Sequence, residues 1–290
     1  MGNKIDFKNW DQEIFEYKLS KNFTGFKEKF IGVVQGNATR LHNLFIRNRL
    51  WFTLKYIEDK TSIEELKNYF RHAMQSIYGH IITEEHIGES QEIWVADKKV
   101  QLKKERRGSD TSIDTLINFF NFASICRCEK AIEAIFRQDG TGPFLDNPNS
   151  VKSYYYEYFF LERSLHKIDE SIIKRELDIG NKKAEKFYEG EDEWKDWYQG
   201  IYIPLSELKY AFFLGDETSF NEKLQIALDK DRAFSDDSKG RCSNSDYWIP
   251  WDIIALACRA HDKGWKITVE DSRLLTFLIE GKCNVSNLEP

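Results

Sequence analysis

The stretch PWDIIALACRAHDKGWKITVEDS, residues 250–272, decides the fold that we expect for this chain. Pro250 suits the first turn of a helix, where its missing N–H is not needed, and Gly264 suits the left-handed residue that ends one. The side chains between them include several small ones: Ala255, Ala257, Cys258 and Ala260. Small side chains let a second helix approach closely, so the stretch predicts a tightly packed helix over 250–263.

After Gly264 the pattern changes to a short extended link. Ile267 and Val269 alternate with polar residues, which is the period of an extended chain. Asp271 or Ser272 suits the N-cap of a closing helix over 273–281. The stretch therefore predicts a helix, a link and a second helix, in that order.

Three further segments show the apolar period of a helix: 61–79, 109–140 and 218–231. In each of them apolar residues recur every three or four positions, which places them on one buried face. Ser62 with Glu65 and Ser219 with Glu222 have the spacing of capping boxes, in which two unpaired N–H groups are satisfied. Gly79 is the expected end of the first segment.

A different period appears between these helices, around the sequence ADKK. Apolar residues alternate with polar ones on both sides of it, as in two paired strands: Ile93, Val95, Val100 and Leu102. This pattern predicts a small β-hairpin near residues 92–103. The expected fold class is therefore mostly α, a multi-helix domain with orthogonal or antiparallel packing and one inserted hairpin.

The segment 139–149 divides the predicted helices into two groups. Within 138–150 the chain has two glycines and two of its five prolines, which is typical of a joint. We expect a single domain over 1–290, built from two helical halves, 1–138 and 150–290.

Composition indicates a soluble globular protein, since apolar residues are 41% and charged residues 31% of the chain. No run approaches the roughly 18 apolar residues of a membrane span, and the first residues lack the apolar core of a signal peptide. The five cysteines are odd in number and scattered, as is typical of reduced thiols. We expect a cytoplasmic protein that does not insert in a membrane.

Charge is unevenly distributed between the halves. The net charge of −6 divides into +2 for residues 1–145 and −8 for residues 146–290. An acidic half disfavours nucleic acid as a direct ligand and is compatible with a basic protein partner, although many ordinary cytosolic domains are as acidic.

Catalytic motifs are sparse. His261 and Asp262 form the dipeptide of a class of metal-dependent phosphohydrolases, but such a site needs a further His and Asp, and no other histidine stands at a ligand spacing. Cys126 and Cys128 are two residues apart on a predicted helix and face nearly opposite sides, so they cannot readily hold one zinc ion together. There is no phosphate-binding loop, dinucleotide fingerprint or nucleophile elbow. We expect no catalytic residues, no metal and no cofactor.

Two aromatic segments allow a structural and a functional interpretation. One carries five acids around two tryptophans: Glu189, Glu191, Asp192, Glu193, Trp194, Asp196 and Trp197. It predicts either a solvated helix start with inward tryptophans or a docking surface for a basic protein. The other, YYYEYFF at 154–160, is typical of a helix buried on all sides, and stacking on nucleotide bases is the alternative.

The order of residues in the quoted stretch resembles the C-terminal signature of the immunity protein 49 family of bacterial polymorphic toxin systems. The residues that carry the resemblance are Ala255, Leu256, Ala257, Cys258, Ala260, Asp262, Gly264, Val269, Glu270 and Ser272. The step Ile125, Cys126 and Arg127 is similar to one in the family's central helix. Together with the hairpin, these similarities extend over roughly residues 90–280.

The resemblance implies a mostly helical protein, encoded beside a toxin gene, that protects the producing cell by binding the toxin domain. The expected function is a stoichiometric inhibitor and not an enzyme, and the expected partner is a toxin domain, for instance one with a basic groove for nucleic acid. Two alternatives stay open: a helical scaffold without a toxin partner, and a hydrolase that uses His261 and Asp262. The toxin, its mode of delivery and the oligomeric state do not follow from the sequence.

Overall fold

The computed structural model describes residues 40–58, 61–106, 113–138, 192–236 and 241–290, with Glu16, Ala38 and a few positions between 171 and 185. These parts of the chain are mostly helical and contain one two-stranded antiparallel sheet. The predicted fold class is therefore confirmed. The predicted joint at 139–149 and the aromatic run at 154–160 lie outside the described residues.

Helices α1 (Arg40–Glu58) and α2 (Ile63–Glu85) pack against each other. Helix α2 begins at its predicted cap, since Ser62 Oγ accepts a hydrogen bond from the Glu65 backbone N–H at 3.2 Å. The predicted end at Gly79 is wrong, because α2 continues through it to Glu85. A Cβ atom at Gly79 would collide with Cδ1 of Ile93, so the glycine allows the hairpin to lie directly on the helix.

The hairpin consists of β1 (Ser90–Val95) and β2 (Lys98–Lys103), with Ile93 opposite Val100. Its turn residues Ala96 and Asp97 have φ angles of 48° and 66°, as the tight turn of a two-residue hairpin requires. The inward face of the hairpin forms a small separate core with residues of α1 and with Ala38, which precedes that helix: Ala38, Leu41, Leu44, Ile93, Val95, Val100 and Leu102.

Helices α3 (Ile113–Ile125) and α4 (Glu129–Arg137) occupy the segment in which one long helix was predicted. That prediction is wrong, because the helix is interrupted at Arg127, whose φ angle is +50°. The Cys128 backbone N–H donates to the Ala123 carbonyl at 3.0 Å, which closes the end of α3 in the manner of a glycine-terminated helix. Because arginine rarely adopts a positive φ angle, the residue type at this position gives no sign of the break.

In the second half, α5 (Asp192–Trp197), a π-helical turn (Tyr198–Tyr202) and α6 (Ile203–Leu214) follow one another without a break. Helix α7 (Glu217–Ser235) begins before the predicted cap. Asp216 Oδ1 accepts from the Ser219 N–H at 2.9 Å, so the cap is Asp216 and the predicted Ser219 box is wrong.

Helix α8 (Trp251–Asp262) is the helix of the quoted stretch. Pro250 immediately precedes it, and Gly264 has the expected left-handed conformation with a φ angle of +87°. The closing helix is shorter than predicted, because α9 covers only Thr276–Ile279. Asp271 Oδ1 accepts from the Arg273 backbone N–H at 2.7 Å and forms a turn where the helix was expected to start.

The larger core joins helices from both sides of residues 139–149. Phe122 of α3 lies 5.3 Å from Trp251 of α8 and 5.1 Å from Phe70 of α2, measured between ring centroids. Phe52 of α1 lies 5.5 Å from Trp251 on the other side. Within the described ranges, no helix has both the length and the apolar character of a membrane span.

Candidate binding cavity and the predicted site residues

A cavity of about 260 Å³ lies where α1, α3, α6, α7 and the start of α8 meet. Its wall takes residues from both predicted halves, such as Arg49 and Ile117 from the first and Leu205, Ala227 and Ile253 from the second. Clefts between packed units are common places for binding sites. The cavity is therefore the candidate functional site of the described residues.

Aromatic rings form much of the cavity wall. Trp197, Tyr202, Tyr247 and Trp251 all line it. The centroids of Trp197 and Tyr202 lie 6.0 Å apart, and Tyr198 stacks on Tyr202 at 5.5 Å with 18° between the rings. Flat rings held in this way offer surfaces on which a planar or cationic group can stack.

The π-helical turn positions two residues of the cavity wall, Ile201 and Tyr202. It inserts an extra residue between α5 and α6, which changes the direction of the side chains on either side of Tyr198–Tyr202. Gly200 lies against α7 here, since a Cβ atom at this position would be 3.2 Å from Cβ of Phe234. Turns of this kind are frequent at functional sites, and this one brings Ile201 and Tyr202 to the cavity.

A salt bridge lies at the mouth of the cavity. Arg49 Nη2 donates to Asp246 Oδ1 at 3.0 Å, and the Asp246 side chain is 60% exposed. Asp252, in the first turn of α8, accepts from Nδ2 of Asn121 at 2.6 Å. Asp252 thus has an uncharged partner, whereas Asp246 has a charged one.

The buried wall holds a second ion pair. Asp231 of α7 accepts from Nη1 of Arg273 at 2.6 Å, and both residues are buried. Burial raises the pKa of Asp231 to about 6, although Arg273 opposes the rise. Lys209 also lines the cavity and is only 6% exposed. These groups give the inner wall both signs of charge.

The predicted docking segment reaches this cavity through Trp197, which is half-buried and lines it. Asp196 forms a salt bridge of 3.2 Å with Arg241, whose guanidinium carbon also lies 3.7 Å from the Phe234 ring centroid. Glu189 and Glu191 lie outside the described residues. Asp192, Glu193 and Trp194 are described only as part of the α5 backbone.

The residues that carry the family resemblance have mainly packing positions. Five of them are buried in α8: Ala255, Leu256, Ala257, Cys258 and Ala260. Val269 is half-buried against the larger core, and Glu270 is exposed. Asn221 of α7 holds the extended link before Val269, since its Oδ1 accepts from the Thr268 N–H at 2.8 Å and its Nδ2 donates to the Lys266 carbonyl at 3.0 Å.

Asp262 has a partner that the sequence did not reveal. Its two carboxylate oxygens accept from Nε and Nη2 of Arg127, each at 3.0 Å, while His261 is exposed. The same guanidinium donates to the carbonyls of Ile125, Leu278 and Ile279. Ser272, the last signature residue, is half-buried. Across the described ranges, no three His, Cys, Asp or Glu side chains are arranged to hold a metal ion.

A second polar cluster was also missed, at the hairpin turn. The Asp97 carboxylate accepts from Arg71 Nε and Nη2 at 2.9 and 2.7 Å and lies 2.8 Å from His72 Nε2. Burial raises the pKa of Asp97, but the hydrogen bonds from Arg71, His72 and Gln75 outweigh it and hold that pKa well below its usual range. Gln75 also donates to the Leu288 carbonyl at 2.7 Å. The cluster fixes the hairpin to α2.

His80 is the most deeply buried titratable group of α2. Neither ring nitrogen has a hydrogen-bond partner, and burial lowers its pKa well below the usual value, with Lys104 and His42 adding to the effect. Its neighbour Glu84 forms a buried ion pair with Lys104. The predicted helix ended at Gly79, one residue before His80, so the sequence pattern did not indicate that this histidine would be buried.

Comparison with known proteins identifies a family. The family model described as immunity protein 49 matches residues 60–274, which is most of the chain. No curated protein and no solved structure matches the chain significantly. The matched range contains the hairpin, the break at Arg127, α8 and the residues that line the cavity except Arg49.

Proposed function

This chain belongs to the immunity protein 49 family, and on that premise we propose that it binds a cognate toxin domain of a bacterial polymorphic toxin system and neutralises it. The proposed mechanism is occlusion of the toxin's active site by a stoichiometric complex. The observation that carries the proposal is the family match over residues 60–274.

The charge distribution supports a basic partner. The second half of the chain carries a net charge of −8, and exposed carboxylates of this half surround α7, among them Glu222, Asp229 and Glu270. A toxin that acts on nucleic acid needs a basic groove for phosphates. We propose that such a groove meets this acidic half, because complementary charge increases the rate of association and fixes the register of the two surfaces.

Binding without catalysis is the role that the environment of Asp262 supports. A hydrolase that used His261 and Asp262 would need the Asp262 carboxylate as a metal ligand, but both of its oxygens accept hydrogen bonds from Arg127. We propose that the protein is not an enzyme and that it acts in the cytoplasm, where a toxin with an intracellular target would have to be intercepted.

Co-expression tests this function. The toxin domain encoded beside the gene is expressed alone, with this chain, and with the chain plus an excess of unrelated toxin domain as a specificity control. We expect growth arrest by the toxin alone, recovery with this chain, and a stable complex of one copy of each protein on size-exclusion chromatography. Growth arrest that persists although the chain is folded and abundant would contradict the proposal.

A further inference from the structure

The size of the cavity limits what it can receive. Its volume of about 260 Å³ corresponds to roughly nine water molecules at about 30 Å³ each. Pockets for cofactors and drug-sized ligands are generally larger, about 300–1,000 Å³. The volume suits one large side chain of a partner protein, and interfaces concentrate their binding energy where such a side chain fills a pocket.

The wall of the cavity favours a planar group that is also cationic. Trp197, Tyr202, Tyr247 and Trp251 line it, and the negative faces of aromatic rings attract cations. A guanidinium group is flat and weakly hydrated, so it stacks on such rings at a lower desolvation cost than an ammonium group.

Carboxylate oxygens with room for another donor lie beside these rings. Asp246 Oδ1 accepts from Arg49, and Asp252 Oδ1 accepts from Asn121, but among the described residues Oδ2 of each accepts no hydrogen bond. Arg49 is already paired at the mouth, and Lys209 is buried in the wall. The accessible part of the site therefore offers acceptors, which match the donors of a guanidinium.

Two effects oppose a cation here. Lys209 contributes an ammonium group to the inner wall. The N-terminus of α8 points its partial positive charge toward the cavity, since Pro250 and Trp251 line it. Asp252 lies in the first turn of this helix, where a full negative charge offsets the partial positive one. The carboxylate of Asp252 is thus the group on which cation binding depends most.

We propose that the cavity receives an arginine side chain of the cognate toxin, whose guanidinium stacks on the aromatic wall and donates to Asp252. This inference rests on the proposed function and specifies the contact through which the toxin is held. Arginine is enriched among residues that dominate binding energy and is abundant in grooves that bind phosphates. An arginine side chain held in this cavity would also be unable to contact the toxin's own substrate.

A small probe tests the pocket without the toxin. N-acetyl-arginine amide is titrated into the full chain, and the indole N–H signals of Trp197 and Trp251, assigned with Trp197→Phe and Trp251→Phe, are followed by NMR. N-acetyl-citrulline amide is the matched control, because it has nearly the same shape without the charge. We expect saturable shifts of these two signals with the arginine probe and at least about tenfold weaker binding of the citrulline probe.

Two charge-neutralising variants locate the binding group. Asp252→Asn keeps the acceptor for Asn121 and should weaken binding of the arginine probe about tenfold. Glu133→Gln removes the same charge from an exposed position of α4 outside the cavity and should leave the affinity unchanged. Melting temperatures confirm that both variants are folded. Equal binding of both probes, or unchanged affinity in Asp252→Asn, would overturn the inference.

The toxin complex separates this inference from the proposed function. If the toxin is neutralised but Asp252→Asn binds it as tightly as the unmodified chain does, the arginine contact is wrong and the immunity function stands. If the pocket binds the arginine probe but the toxin is never bound, the proposed function fails, and with it the identification of the occupant as a toxin residue.

Discussion

Arg127 and Asp262 are joined by two parallel hydrogen bonds of 3.0 Å, although 135 residues separate them in the chain. Arg127 stands in the break between α3 and α4, and Asp262 is the last residue of α8. Both residues belong to segments that carry the family resemblance. The pair gives Arg127 and Asp262 a structural role, because together with the carbonyls that Arg127 contacts it holds the ends of three helices together.

The first prediction separates the side chain of Arg127 from its backbone. Arg127→Lys should lower the free energy of unfolding by about 2 kcal/mol, because lysine cannot reach Asp262 and the carbonyls of Leu278 and Ile279 at the same time. Arg127→Gly should be less destabilising than Arg127→Ala by about 1 kcal/mol, because glycine adopts a φ angle of +50° without strain. Urea unfolding measures all three. An alanine variant more stable than the glycine variant would contradict the left-handed assignment.

The second prediction concerns the contact between α2 and the hairpin. Gly79→Ala would stabilise an exposed helix by about 1 kcal/mol. Here it should instead destabilise the protein by about 1 kcal/mol, because the new Cβ meets Cδ1 of the buried Ile93. Ile93→Val removes that atom, so the double variant Gly79→Ala/Ile93→Val should lose less stability than the sum of the single ones. Additive losses in thermal unfolding would show that the two residues do not touch.

The third prediction concerns pH and His80. Because burial holds the pKa of His80 below its usual value, the unfolded chain takes up a proton below about pH 6.5 while the folded chain does not. Stability should therefore fall as the pH is lowered from about 6.5, by up to about 1.4 kcal/mol per pH unit from this group. His80→Leu removes the effect.

The difference between His80→Leu and the unmodified chain isolates His80 from Asp231, whose raised pKa acts in the opposite direction as the pH falls through about 6. The groups around His80 are Lys104, His42, Glu84 and Phe119, and the variant leaves them in place. A stability difference that stays constant between pH 7.5 and pH 5 would show that His80 is not buried in the neutral form.

The fourth prediction concerns the buried pair of Asp231 and Arg273. Arg273→Leu leaves Asp231 without its cation, so it should cost about 3–5 kcal/mol at pH 8. The cost should be smaller at pH 5, since Asp231 is then protonated and needs no cation. Replacing both residues, Asp231→Leu with Arg273→Leu, should recover much of the loss. Equal costs at the two pH values would mean that Asp231 stays charged.

The fifth prediction concerns the acidic segment before the cavity. Changing Glu191, Asp192 and Glu193 together to lysine should slow association with the toxin and alter its salt dependence, because rim charges act mainly on the association rate. Trp197→Ala should accelerate dissociation, because Trp197 lines the cavity. Binding kinetics over a salt series measure both effects, with melting temperature as the control for folding. Unchanged rates in the triple variant would place the interface elsewhere.

Sequence periodicity predicted the elements whose signals are local. The cap at Ser62, the hairpin strands and the left-handed Gly264 depend on residues within one turn of each other, so their spacing in the chain was informative. The end of α2 and the break at Arg127 depend on residues far away in the chain. Gly79 is small because Ile93 lies on it, and Arg127 tolerates a positive φ because it bonds to Asp262.

In the candidate site, too, features with a local signal could be predicted, and features that depend on distant residues could not. The acidic tryptophan segment could be singled out because its composition is unusual, and Trp197 does line the cavity. Asp252 and Arg49 looked like ordinary helix residues, because nothing in the sequence indicates that their helices meet at one cavity. Sequence pattern identifies a face of a helix, whereas the neighbour of that face is determined by the tertiary fold.

The long separation of Arg127 and Asp262 also affects how the protein is made. At a synthesis rate of about 5–20 residues per second, the ribosome needs roughly 7 to 27 seconds to proceed from one residue to the other. During that time the side of α3 that later contacts α8 is uncovered and available to chaperones or to aggregation, although Phe122 can already pack against Phe70 of α2. The contact between α3 and α8, and with it the complete cavity, can therefore form only after α8 has been synthesised.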